Sequence, residues 1–394
     1  MCHTYAEQSN RAAKAAKHLQ QPLYSINVAT MRSSPTAMHT RLRDLGISIG
    51  RLPTGQFNAI TDVPGILVGH TTIRHDSPRV ARTGVTMIVP RDGNIWHDAV
   101  FGGFFSFNGC GEMTGLPWLE ESGMIGTPIA ITGTISVGAV WDALTAYGVE
   151  QGYGDAFLPM VAETHDGWLN DMTGYHVRRE HVEQAIHAAR TGPVAEGCVG
   201  GGTGMICHGF KGGIGTSSRM ATCQSGSFTV GVLVQANYGE RELLRVDGVP
   251  VGRELDRTTV PLPWMIPQQA GSIIIIVATD APLIPSQCQR LARRATVGLA
   301  RVGGTGHNGS GDLFLAFATG NHLAVQEPAS LHAIQFLPNG HMDPLFEAVA
   351  DATEEAILNA LVAAETTVGH QGHMAYALPH DALQQVMQRY RPRA

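Results

Sequence analysis

The sequence is short of charge, of aromatic residues and of paired cysteines, and each shortage narrows what the chain can be. Charged side chains make up 15% of the 394 residues, aromatics 6%, and the formal net charge is -6. No long run of Lys or Arg occurs, so the basic stripe of a nucleic-acid binder is missing and nucleic acid is not an expected partner. No stretch of 18 apolar residues occurs, so no membrane span and no membrane partner are expected. The N-terminal segment carries Arg11, Lys14, Lys17 and Arg32 without the apolar centre of a signal peptide. A soluble, cytoplasmic protein is therefore expected. The six cysteines, Cys2, Cys110, Cys198, Cys207, Cys223 and Cys288, form no C-x-x-C pair and read as reduced, mostly buried thiols. The 18 histidines show no metal-ligand spacing beyond pairs such as His370 and His373, for which a surface pair is the ordinary reading. Neither a metal nor a cofactor is expected.

What the chain does have is glycine, 47 of them, beside 43% hydrophobic residues. That combination fits an α/β protein whose backbone turns tightly and often. Residues 1–40 are polar, lack an amphipathic repeat and read as a loose tail; 41–394 reads as a single domain. Short strands and turns are expected from Arg41 to Ile73. Strands are also expected at Thr83–Pro90, Thr127–Thr134 and Ser227–Tyr238, where short apolar or alternating runs occur. Helical spacing marks the segment from Val137 to Gly152 and the one around Val182, Ala185, Ile186 and Ala189. The most apolar run, GSIIIIVATDAPL, holds four successive isoleucines and implies a strand buried on both faces. A helix opening at Pro285 follows, then a strand over Asp312–Thr319 and helices over Asp343–Thr367 and Asp381–Arg391.

Several familiar motifs fail on context. GTGHNG, with Gly304, Gly306 and Gly309, follows a helix and precedes a strand, the reverse of a dinucleotide-binding turn. GMICHGFK (Gly204–Lys211) misplaces the lysine of a phosphate loop and has no Ser or Thr after it. Neither G-x-S-x-G nor H-E-x-x-H occurs. Lys211 in its glycine loop could be a catalytic cation, though a solvated charge is the commoner outcome for such a residue. What remains is Ser272, preceded by Gly271 at the entry of the isoleucine strand. Taken alone, a serine there is usually a turn or cap residue. Asn237 before Tyr238-Gly239, and the NGSGD segment with Ser310 and Asp312, likewise read locally as turns.

GSIIIIVATDAPL, GGGTGMICHGFKGGIGTSSR, VGVLVQANYG and AETHDGWLND, in that family's order along the chain, resemble the DmpA family. This family comprises L-aminopeptidase/D-amino-acid esterase-amidases and the similar β-peptidyl aminopeptidases, serine hydrolases of the S58 type. The resemblance covers about Arg41 to Tyr390. It implies a four-layer αββα sandwich and a precursor that cuts itself between Gly271 and Ser272 into 1–271 and 272–394. Ser272 would then be an N-terminal nucleophile whose own α-amine serves as base. The resemblance further implies Asn237 as an oxyanion donor, and Ser310 and Asp312 as the hydroxyl and carboxylate around the nucleophile. Asp312 stands where some members have Glu. The segment ETHDGWLND has His165 and Trp168 but no tyrosine for the family's second oxyanion donor, and that role stays unassigned. TGTISVG replaces the family's polar Asn and His with Gly133 and Ile135. The implied substrates are small peptides, amino-acid amides or esters, and the implied assembly is a homo-oligomer of cleaved protomers. Two alternatives stay open: a self-processing relative acting on another acyl group, as in pantetheine-type amide hydrolysis or ornithine acetyl transfer, and a non-catalytic binding protein on the same scaffold.

Overall fold

Alternate side chains of the isoleucine run enter two different cores. The computed structural model, which describes residues 40–152, 158–264, 271–324 and 331–391, holds Ser272–Thr279 in a strand with every residue buried. Ile273, Ile275 and Val277 join one core; Ile274, Ile276 and Ala278 join another. Successive strand side chains point to opposite faces, so burial of both faces requires a layer on each side.

The strands in chain order are β1 (Leu67–His75), β2 (Ala81–Val89), β3 (Asp98–Gly109), β4 (Met124–Ile125), β5 (Ile129–Gly133), β6 (Met160–Thr164), β7 (Ile206–Cys207), β8 (Phe210–Lys211), β9 (Gly213–Cys223), β10 (Gly226–Asn237), β11 (Ser272–Thr279), β12 (Gly311–Ala324), β13 (Thr367–Val368) and β14 (Met374–Ala375). The helices are α1 (Leu116–Ser122), α2 (Val137–Glu150), α3 (Arg179–His187), α4 (Val251–Glu254), α5 (Pro285–Val302), α6 (Asp343–Val362) and α7 (His380–Tyr390). Four strands make a sheet in the order β1-β2-β5-β6, and six make another in the order β4-β3-β12-β11-β10-β9. Ile88, Ile129 and Ile131 of the first sheet meet Leu233, Ile274 and Ile276 of the second. Outside the first sheet, Val140 and Leu144 of α2 and Val182 of α3 pack on Val85, Met87 and Val161. Outside the second, Leu291, Ala295 and Leu299 of α5 share a core with Ile357 and Leu361 of α6. The result is the expected αββα sandwich.

Helix α6 lies hard against β9. A Cβ on Gly215 would stand 1.9 Å from the Ala356 carbonyl oxygen, so only glycine permits this approach. At the same interface the buried Glu355 carboxylate accepts from Arg219 Nη2 at 2.6 Å, Arg43 Nε at 2.7 Å and Asn58 Nδ2 at 2.5 Å. Removing one partner of a buried ion pair strands the other charge, at a cost of about 3–5 kcal/mol. Glu355→Ala should therefore lower the unfolding free energy by that margin, read from the shifted midpoint of a denaturant titration. Parent-like stability would mean that Ser217, Ser218 and Ile49, which also accept from Arg219, satisfy it without the carboxylate.

Several expectations need correction. Between Arg41 and Ile73 the only strand among the described residues is β1; 3-10 turns occupy Leu42–Leu45 and Ile60–Asp62. There the Arg41 guanidinium binds the carbonyls of Phe57 and Asn58, so these two groups are satisfied without a strand partner, and it ties the segment to the Thr216 carbonyl of β9. Helix α6 stops at Val362 because Thr367 and Val368 pair with β14. Of the cysteines only Cys207 and Cys288 are buried; Cys198 and Cys223 are half-buried and Cys110 is exposed, while Cys2 and nearly all of the 1–40 tail fall outside the described residues. Among the described residues no helix is long and apolar enough to cross a membrane.

Candidate active site

Ser272 sits where three strand ends meet. It opens β11, opposite Asn237 at the end of antiparallel β10 and opposite Gly311 at the start of parallel β12. Gly271 is pressed against β10: a Cβ there would lie 2.8 Å from Tyr238 Cα and 2.9 Å from the Asn237 carbonyl oxygen. The Gly311 N–H donates both to the Ser272 hydroxyl oxygen at 3.1 Å and to the Gly271 carbonyl at 3.2 Å. One backbone donor thus touches the hydroxyl and the carbonyl on either side of the Gly271–Ser272 peptide bond.

Ser272, Asn237, Ser310 and Asp312 are all buried and all line one cavity of about 270 Å³. Ser310 Oγ donates to Asp312 Oδ1 at 2.6 Å. Burial pushes the Asp312 carboxyl up to about 6, while the Ser310 hydroxyl and the Ile273 backbone pull it back. The Asn237 amide is pinned in one orientation: its Oδ1 accepts the Ile206 N–H at 2.8 Å and its Nδ2 donates to the His165 carbonyl at 2.9 Å. A primary amide has two N–H bonds, so one remains free. The four residues singled out in the sequence, drawn from three separate stretches of the chain, share this one cavity.

The cavity also holds residues that the sequence did not mark. Glu163, at the inner end of β6, accepts from the Glu112 N–H at 3.1 Å and from the Thr134 hydroxyl. Burial raises the pKa of its carboxyl. Nothing in the strand pattern distinguishes this inward-facing carboxylate from an ordinary solvent-facing one; its only signal is membership of AETHDGWLND. His307 and Glu240 face each other at 3.9 Å on the rim. Trp264 forms part of the wall, against Trp168.

Other candidates resolve differently. Lys211 is buried, does not line the cavity, and donates to the carbonyls of Gly202 at 3.1 Å and Gly212 at 2.7 Å. It is not a solvated charge, because the β7–β8 hairpin folds inward, and it stands off the cavity wall. His165 lines the cavity, but what the geometry assigns it is a carbonyl bond to Asn237. Gly133 is explained by crowding, since a Cβ would lie 2.3 Å from Asp166 Oδ2; Ile135 does not reach the cavity wall. The loop with Gly304, Gly306 and Gly309 joins α5 to β12, as its context required, and lines the cavity through Gly306 and Gly309. Among the described residues no three His, Cys, Asp or Glu side chains converge as a metal site.

Comparison with known proteins extends this picture over most of the chain. The model of peptidase family S58 matches residues 58–375. The chain is 44% identical to the β-peptidyl aminopeptidase BapA of Sphingosinicella microcystinivorans over 92% of this chain and 95% of that one. Among solved structures, a β-aminopeptidase of a Burkholderia species superposes with a TM-score of 0.85 at 50% identity, covering 90% of this chain and all of the other. The L-aminopeptidase D-Ala-esterase/amidase of Ochrobactrum anthropi, described as a variant of the Ntn-hydrolase fold, gives 0.82 at 40% identity, covering 89% and 98%. The chain is therefore a member of peptidase family S58, the DmpA-type serine aminopeptidases and amidases.

Proposed function

We propose that the chain matures by cutting its own Gly271–Ser272 bond and then releases N-terminal residues from small peptides, amides or esters through Ser272. The observation that carries this reading is the Gly311 N–H shared between the Ser272 hydroxyl and the Gly271 carbonyl. In the precursor the hydroxyl attacks that carbonyl, and the N–H stabilises the charge that forms on its oxygen. The acyl group moves from nitrogen to oxygen, and water hydrolyses the ester to leave a carboxylate on Gly271 and a free α-amine on Ser272. That amine has a reference pKa of about 7.7–8.0, so it takes the hydroxyl proton of its own residue near neutral pH.

In turnover the hydroxyl attacks the substrate carbonyl, and the free N–H of Asn237 receives the oxyanion. The leaving amine takes the proton from the α-ammonium, and water then hydrolyses the acyl-enzyme. Ser310 and Asp312 hold the nucleophile's amine, and Asp312, with Glu163, supplies negative charge for the substrate's amino group. The relatives named for β-peptides support N-terminal β-amino acids as substrates. The five free cysteines among the described residues fit a reducing cytoplasm. The exposed Leu331, Ile334 and Phe336 favour a homo-oligomer of cleaved protomers.

Purified protein should run as two bands, of 271 and 394 − 271 = 123 residues. N-terminal sequencing of the smaller should read Ser-Ile-Ile-Ile-Ile. An uncut chain with full activity would sink the mechanism.

A further inference from the structure

Below the rim where His307 and Glu240 face each other, the cavity has two chemically different sides. Toward β12 stand Asp312 and, through Gly111, Glu163: a Cβ on Gly111 would lie 2.9 Å from Gly311 Cα and 3.2 Å from Glu163 Oε1. Toward β10 stands Asn237, whose amide is held by Ile206. Ile206 belongs to a small apolar cluster of its own, with Leu169 and Ala375 buried and Trp168 and Trp264 half-buried against them. Ile206, Trp168 and Trp264 all line the cavity.

The two indoles form a corner, their rings 5.9 Å apart and 88° to one another. Behind the corner, the His373 ring stacks on Trp168 at 3.8 Å and 6°, and its Nδ1–H donates to the Trp168 carbonyl at 2.9 Å. The β13–β14 hairpin fixes that histidine, through the His370 N–H to the Leu169 carbonyl at 2.8 Å. An aromatic corner beside the oxyanion position is an apolar receptacle, and the Trp168 half of it is held in place before substrate arrives.

On the proposed reading of Ser272 as nucleophile, we propose that Trp168 and Trp264 form the subsite for the substrate's N-terminal side chain. The subsite selects aromatic or large apolar groups, while the amino group lies toward Asp312 and Glu163. Neighbouring strands are about 4.8 Å apart, so the two sides lie within reach of one amino acid bound at the β11 end. His373 is a positioning residue: it touches no substrate and holds Trp168 in place.

The test compares the p-nitroanilides of phenylalanine, β-homophenylalanine and glycine on wild type, Trp264→Ala, Trp264→Leu, His373→Ala and His373→Phe, with self-cleavage as the check on folding. Wild type should prefer each aromatic substrate over glycine by about tenfold or more in kcat/KM. Trp264→Ala should reduce that ratio about tenfold, through KM rather than kcat, and Trp264→Leu should reduce it less. His373→Ala should weaken the ratio and His373→Phe, which keeps a stacking ring, should restore it. A wild-type ratio near one, a loss uniform across the substrates, or a loss in kcat alone would overturn the subsite and leave the hydrolase reading intact. A wild-type enzyme that cuts none of the three would overturn the hydrolase reading itself.

Discussion

Ser272→Ala should accumulate as one intact 394-residue chain without hydrolytic activity. On the proposed mechanism two separate reactions need the same oxygen, so a single substitution removes both. The alanine removes only an oxygen from the end of a strand that is apolar from Ile273 to Ala278, and the protein should remain folded. Ser272→Cys retains a nucleophile and should still process, more slowly. The base can be tested independently of the nucleophile. A free α-amine is competent only when deprotonated, so kcat/KM of the mature enzyme should rise with pH through roughly 7 to 8. Acetylating that amine should abolish turnover. If Ser272→Ala hydrolysed amides normally, the nucleophile would lie elsewhere, and Ser310 would be the next serine to replace.

The second large effect is expected at Asn237. Loss of one oxyanion donor typically lowers kcat by about 10²–10³. Asn237→Ala also removes the acceptor of the Ile206 N–H, so a drop there mixes catalysis with local packing. Asn237→Asp separates the two: it keeps an oxygen for Ile206 and loses every N–H. Steady-state kinetics should show both variants down by at least that factor, Asn237→Asp the more because its carboxylate also repels the oxyanion. Near-normal kcat in either would reduce Asn237 to a pin between Ile206 and His165.

The isoleucine strand was legible because burial on both faces leaves no polar position to obscure it. Helix α5 was legible because Pro285 and the Gly303–Gly304 pair bracket it with local chemistry. The layer arrangement came from resemblance, since periodicity says which faces are apolar without saying what covers them. The site divides in the same way. Ser272, Asn237, Ser310 and Asp312 were picked out only by position in long motifs, because each is an unremarkable turn residue by itself. Glu163 was missed since burial of a single carboxylate depends on Thr134 and Glu112, contacts made in space. Lys211 was misread because a glycine-flanked lysine looks exposed until the hairpin is seen to tuck beneath Tyr376, whose carbonyl takes the Lys211 N–H at 2.7 Å. Trp264 gave no sign because its partner, Trp168, is far away along the chain.

The order of the larger sheet bears on what self-cleavage does to the molecule. Strands β11 and β12 lie C-terminal to the proposed cut, yet β3 and β10, which flank them, lie N-terminal to it. Each product therefore supplies strands that the other needs for its hydrogen-bond ladders. Such a break would create two polypeptides without creating two bodies: like interlaced fingers, the pieces could not be drawn apart without dismantling the sheet.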